Sequence, residues 1–267
     1  MSKLGSGKSG FWKRLIPPLY FYKSGSFRTV VRDNISFRLD ISRLIDHSIF
    51  FYKIQDVGWE NLFSLLKPDF HVIDAGANMG FLTLKFSRIC VDGTVYAFEA
   101  DSDNFTDLSQ NLGLNGFQNV RLFKTALGEK PAEGTLYKVF ANNPGANRIL
   151  PHRPSFFFGS ETVQITTLDQ YFEEGIISRV DVMKVDVEGF ELFVLMGARE
   201  VIERFRPLMF IELVETNLRN QNCSSLGLIE FIEGYNYTVL DARTMLPIER
   251  NHGDHHTDVV CIPILSK

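Results

Sequence analysis

The most constraining feature of this chain is the stretch from His71 to Asp101, HVIDAGANMGFLTLKFSRICVDGTVYAFEAD. It opens on Val72-Ile73, an apolar, β-branched run short enough to be a parallel strand buried on both faces. Asp74 ends that run, and Gly76, Asn78 and Gly80 space out a tight turn. Phe81 to Ile89 then carries apolar residues at 81, 82, 84, 86 and 89, a helical pattern. Asp92-Gly93 signals a turn, and a second apolar strand, Thr94 to Phe98, ends on Glu99. Strand, glycine turn, helix, strand, acid is the order of a nucleotide-binding α/β unit.

The small residues at 75, 76 and 77 let backbone come close to a ligand, because a longer side chain would fill that space. A carboxylate just past the second strand can accept both hydroxyls of a ribose, which makes Glu99 the candidate for that task. A dinucleotide fold would space its glycines G-x-G-x-x-G, whereas this turn reads D-x-G-x-N-x-G. Asp74 ahead of the turn would repel a pyrophosphate and attract an ammonium or sulfonium. That favours S-adenosylmethionine over a nicotinamide dinucleotide.

A length of 267 residues suits one large α/β domain with additions. The formal net charge of −4 argues against nucleic acid as the main partner, since a phosphate-tracking surface needs a basic excess. Cys90, Cys223 and Cys261 are odd in number and far apart, so neither a disulfide framework nor a zinc site follows. With no cleavable signal peptide visible, the sequons at Asn34, Asn104, Asn222 and Asn236 read as chance, and the expected compartment is a reducing cytoplasm.

Residues 1–28 read as a basic, aromatic and partly disordered N-terminal extension, and 29–267 as the main domain with a hairpin insertion at 134–166. Gly7-Lys8-Ser9 lacks the first glycine of a phosphate loop and the strand that would precede it. Phe11 to Tyr22 is too short and too charged to span a bilayer; its aromatics dock on the domain, make a peripheral membrane contact, or stay in solvated disorder. Thr29 to Leu39 reads as a small hairpin, and Asp46 to Lys67 as one helical pattern stopped by Pro68. Spacing alone leaves open whether Tyr52, Gln55 or Asp56 faces the ligand. A second crossover helix is expected over 104–114, a third strand over 119–123, and a loop at 124–128 whose small residues suit a purine edge. The loop 141–161, with Arg148, His152 and Arg153, either contacts a polar substrate or is a flexible hairpin tip. Phe156-Phe157-Phe158 could stack on a sugar face or simply pack. Strands follow at 180–185 and 208–214, helices at 191–205 and 225–234, and a closing antiparallel pair at 237–240 and 257–265. His252, His255 and His256 in one turn read as solvated rather than as metal ligands.

Five motifs in order are similar to the FkbM-type methyltransferases. They are Asp74-Ala75-Gly76-Ala77-Asn78-Met79-Gly80, Val95 to Glu99, Asn111-Leu112 to Asn115-Gly116, Thr167-Leu168-Asp169, and Lys184 to Glu191. The resemblance covers roughly residues 55–240 and leaves the first fifty unplaced. It implies a doubly wound, mostly parallel, seven-stranded class I (Rossmann-like) sheet with helices on both faces. It also implies an enzyme that uses S-adenosylmethionine, associated with O-methylation of sugars and natural-product hydroxyls. Position by position, it places Asp74, Gly76, Ala77, Asn78 and Gly80 around the methionine and sulfonium, Glu99 at the ribose, Ala126 and Leu127 at the adenine, and Asp186 facing the transferable methyl.

An alcohol needs a general base near the line of transfer. Asp186 and Glu188 are the catalytic candidates, with Glu191 and Glu212 behind them. The D-x-E-x-x-E spacing could collect a divalent metal, but the first turn of a helix favours acids without one, and no metal is expected. The expected acceptor is a small molecule or glycan. A nicotinamide oxidoreductase and a non-catalytic binding module on the same fold remain as alternatives.

Overall fold

The computed structural model describes residues 16–52, 54, 56–250 and 254–264. Residues 1–15, Gln55 and His252 lie outside them, and with them the glycine-serine-lysine segment and the start of the aromatic stretch. The chain divides into two units, residues 1–54 and 55–267.

In the first unit, strands β1 (Phe27–Arg32) and β2 (Ile35–Asp40) pair antiparallel, as the alternation predicts. Asp33 and Asn34 turn the corner with φ of 51° and 60°, the left-handed conformation that a two-residue hairpin loop requires. Helix α1 (Leu44–Phe51) follows, and its Asp46 accepts the Asp40 N–H at 2.9 Å. Tyr20 and Phe21 are exposed.

In the second unit, Asp56 caps helix α2 (Val57–Leu65) by accepting the Trp59 N–H at 3.1 Å. The helical pattern expected over 46–67 is therefore two helices. The apolar spacing of each looks continuous with the other, but Tyr52 is extended and ends the first. Strand β3 (Val72–Ala75), helix α3 (Phe81–Ile89), strand β4 (Val95–Phe98), helix α4 (Ser102–Asn115) and strand β5 (Val120–Phe123) build the first half of the sheet. Asp101 caps α4, accepting from Asp103 and Asn104, and Gly116 closes it in the left-handed region. After the insertion come helix α5 (Leu168–Glu173), strand β10 (Val182–Val185), helices α6 (Glu191–Met196) and α7 (Arg199–Phe205), and strand β11 (Leu208–Val214). Helices α8 (Glu215–Arg219) and α9 (Ser225–Gly234) lead to strands β12 (Tyr237–Asp241) and β13 (His256–Pro263).

The helix expected over 191–205 is interrupted at Gly197, where a Cβ would lie 1.9 Å from the Gly128 carbonyl oxygen. That close approach replaces a helical turn.

The seven strands lie in the order β12-β13-β11-β10-β3-β4-β5. β3, β4, β5, β10 and β11 are mutually parallel, and β13 runs against both its neighbours. Successive residues feed opposite faces. Ile73, Met183 and Ile211 join the core lined by α6, α7 and α9, while Val72, Val182 and Phe210 join the one lined by α2 and α3. The sheet is doubly wound, as the sequence predicts. Cys90, at the end of α3, and Cys261, on β13, are buried, and no described helix is long and apolar enough to cross a membrane.

The insertion is more than a hairpin. Strands β6 (Ala126–Leu127), β7 (Ala132–Lys138), β8 (Arg148–Ile149) and β9 (Gly159–Thr166) form a second sheet in the order β6-β9-β7-β8. The short β8 lies inside what reads in sequence as a single loop. Phe156 and Phe158 are exposed, while Phe157 meets Tyr137 edge-on.

Candidate active site

Parallel strands end together at one edge of the sheet, and the residues just beyond them form the crevice where open α/β sheets bind ligands. Here that edge carries Asp74 to Gly80 after β3, Glu99 after β4, Asp186 to Gly189 after β10, and Glu212 near the end of β11.

The glycine turn is held from below. The N–H groups of Gly76 and Ala77 both donate to Phe98 O at 3.0 Å, and Asn111 Nδ2 donates to Met79 O at 2.9 Å. Gly76 has φ +79°, and a Cβ there would lie 1.9 Å from Asp186 O, so the turn after β3 and the turn after β10 touch backbone to backbone. Asn78, at φ 52°, donates its N–H to Glu99 Oε2 at 2.7 Å, and Asp101 N donates to Glu99 Oε1 at 2.8 Å. Burial pushes Glu99 up to about 7 despite these two donors. Ala126 and Leu127 pair with Ile165 and Thr166; Leu127 is buried and Ala126 half-buried.

Asp74 is fully buried. It accepts from Thr83 Oγ1 at 2.6 Å and pairs with Lys184 Nζ at 3.3 Å. Lys184 opens the last of the five motifs but carries no role in the sequence reading. From within β10 its ammonium donates to Ala75 O at 3.2 Å and Gly76 O at 2.8 Å, and lies 3.6 Å from Asp186. Burial pulls its pKa down, but the Asp186 and Asp74 carboxylates more than offset that and hold it above the usual lysine value. A lysine inside the otherwise apolar run 182–185 was the available signal, because a buried ammonium must find carboxylates.

Asp186, Glu188 and Glu212 each bring a carboxylate oxygen to within 4.8 Å of the others. Glu191 turns away from them, accepting the Val187 and Gly189 N–H groups at 3.1 and 3.0 Å. Glu188 Oε2 receives Arg148 Nη2 at 2.8 Å and Asn217 Nδ2 at 2.9 Å. Burial, with the Asp186 charge adding to it, raises Glu188 to about 7 and Glu212 to about 10. Asp258, opposite Glu212 on β13, also rises to about 7, chiefly through burial. This is a partly enclosed acid cluster, in which burial makes Glu188 and Glu212 hold protons more tightly than free carboxylates, beside a turn shaped by glycine. His255 is elsewhere, bonded to Ser225 Oγ and Glu249 O.

The chain is 30% identical over 158 residues to methyltransferase sdnD of Sordaria araneosa, a match covering 48% of this chain and 60% of that protein. It is 25% identical over 154 residues to the 2-O-methyltransferase NoeI of Sinorhizobium fredii, covering 53% and 63%. The chain thus spans roughly 60% of the length of the curated relatives it matches. An FkbM methyltransferase from Methylobacillus flagellatus superposes with a TM-score of 0.50 at 18% identity, over 74% of this chain and 45% of that one, a likeness of fold. The methyltransferase FkbM domain matches residues 74–250, from the acid before the glycine turn to the loop before β13, and the chain belongs to that family.

Proposed function

We propose that this chain is an S-adenosylmethionine-dependent O-methyltransferase whose acceptor is a hydroxyl on a sugar, a glycan or another natural product. The carrying observation is the acid cluster of Asp186, Glu188 and Glu212 set against the glycine turn in a chain of this family. The residues at the edge suit that cofactor. Glu99 ends β4 as an acid able to take ribose hydroxyls, the backbone at Gly76, Ala77, Asn78 and Gly80 shapes the methionine end, and Ala126 and Leu127 offer small and apolar surface to the adenine. Asp186, the more open carboxylate of the cluster, favours a positively charged sulfur over a phosphate, whereas Asp74 is buried and paired with Lys184. When bound, S-adenosylmethionine supplies a methyl group on a sulfonium that is already a good leaving group.

The chain's own task is to align the acceptor and take its proton. Glu188, which burial pushes up to about 7, is suited to that transfer, and Asp186, 44% exposed, is the more open partner. The 2-O-methyl transfer in the name of NoeI supports oxygen as the receiving atom.

Two measurements test the reading. Calorimetry should detect binding of S-adenosylhomocysteine and none of NADH. Incubation with tritiated S-adenosylmethionine and fractionated cell extract should place label on the oxygen of a small molecule or glycan. Label on protein lysine or nucleic acid would overturn the assignment.

A further inference from the structure

We propose that Arg148, carried in by the insertion, is a positioning residue that fixes the Glu188 carboxylate in the acid cluster and keeps it able to accept a proton. This rests on the reading of Glu188 as the base.

The geometry is a closed ring of three side chains. Arg148 Nη2 donates to Glu188 Oε2 at 2.8 Å, Arg148 Nη1 donates to Asn217 Oδ1 at 2.8 Å, and Asn217 Nδ2 returns to Glu188 Oε2 at 2.9 Å. The three come from β8, the turn after β10, and α8. Glycine makes the last two meet, for a Cβ at Gly189 would lie 2.4 Å from Asn217 O. A planar guanidinium can serve two acceptors at fixed angles, which a single ammonium cannot.

The segment bearing Arg148 is itself tied down on either side. Asn147 Nδ2 donates to Asp101 Oδ2 at 2.8 Å and Asn104 Nδ2 donates to Pro144 O at 3.2 Å, beside Glu99. Gln221 Nε2 donates to Ile149 O at 2.5 Å, on the side of the acid cluster. The insertion therefore brings its arginine to a set place, with only 12% of the side chain exposed.

Around Glu188 the other charges are mostly acids. Asp186 lies on the same turn, Glu191 on α6, Glu212 on β11, and Asp258 opposite Glu212 on β13. Lys184, on β10, is engaged with Asp74 and Asp186. Arg148 is the cation in contact with Glu188 among the described residues. Without it, Glu188 would stay protonated at neutral pH and could not take a proton from an alcohol.

The test needs no acceptor. Protein labelled with ¹³C at glutamate carboxyls is titrated by NMR, and the Glu188 signal is assigned by its loss in Glu188→Gln. A wild-type midpoint near 7 should rise by about one unit or more, a tenfold change in proton affinity, in Arg148→Met. Arg148→Lys, which keeps charge but loses the fork, should lie between, while Glu99 stays in place. Thermal melts establish which variants fold, and if Arg148→Met does not, the Arg148→Lys midpoint must exceed the wild-type value. An unmoved Glu188 in the folded variant overturns the proposal. Calorimetry of the wild-type chain with S-adenosylhomocysteine is run separately; failure there removes the functional reading and leaves the Arg148–Glu188 result to stand or fall by itself.

Discussion

Replacing Lys184 by methionine removes one ammonium and keeps most of the side chain's volume. Three kinds of group lose by it. Asp74, fully buried, keeps only the Thr83 hydroxyl; Ala75 O and Gly76 O lose a donor; and Asp186 loses its nearest cation. Leaving a buried charge without its partner costs about 3–5 kcal/mol. A domain of this size loses about 2–4 °C of Tm per kcal/mol, so a fall of roughly 6–20 °C is expected. Asp74→Asn should rescue part of the loss, because it removes the stranded charge, giving a coupling of at least about 1 kcal/mol in the double-mutant cycle. The assay is urea and thermal unfolding of the full chain for the wild type, both single variants and the pair. Because the Lys184 pKa is raised above its unfolded value of 10.5, its contribution persists below that pH and fades as pH rises past it. The wild-type and Lys184→Met curves should therefore stay apart up to about pH 10 and converge above it. A loss below about 1 kcal/mol, or effects that add to within about 0.5 kcal/mol, would refute the reasoning.

Gly76→Ala should cost at least about 3 kcal/mol and abolish S-adenosylhomocysteine binding by calorimetry, since the residue sits at φ +79° with Asp186 O 1.9 Å from the new Cβ. Glu99, Glu188, Glu191 and Asp258 all have pKa values pushed up to about 7, so the folded state binds more protons than the unfolded one between about pH 4.5 and 7. Their part of the stability is therefore present at pH 4 and lost as pH rises through 7, and Tm should fall between pH 5.5 and 8 in scanning calorimetry. Glu212→Gln should flatten that fall, being close to neutral at pH 5 and stabilising by at least about 1 kcal/mol at pH 8. Asp101→Ala should cost about 1–2 kcal/mol through the lost cap of α4, and hydrogen exchange should speed up at residues 103, 104 and 145–147 together.

The sheet was legible because its central strands β3, β4 and β10 are fully buried runs bounded by turn residues. β11, α3 and α9 fall on the residues that periodicity marks out. The break between α1 and α2 was not legible, because two amphipathic helices in succession preserve a single apolar rhythm. Nor was the interruption at Gly197, whose cause is the distant carbonyl of Gly128. At the site the same division holds. Lys184 and Asp74 could be found, since an ionisable residue within or at the end of an apolar strand cannot be left to solvent and must meet an opposite charge nearby. Arg148 offered no such constraint. It stands in a long loop with no apolar periodicity to fix its direction, water would satisfy it as well as a carboxylate, and its partners lie 40 and 69 residues away. Charges in buried runs announce their pairing; charges in long loops acquire one only when the fold brings an acid to them, and here the fold brings Glu188.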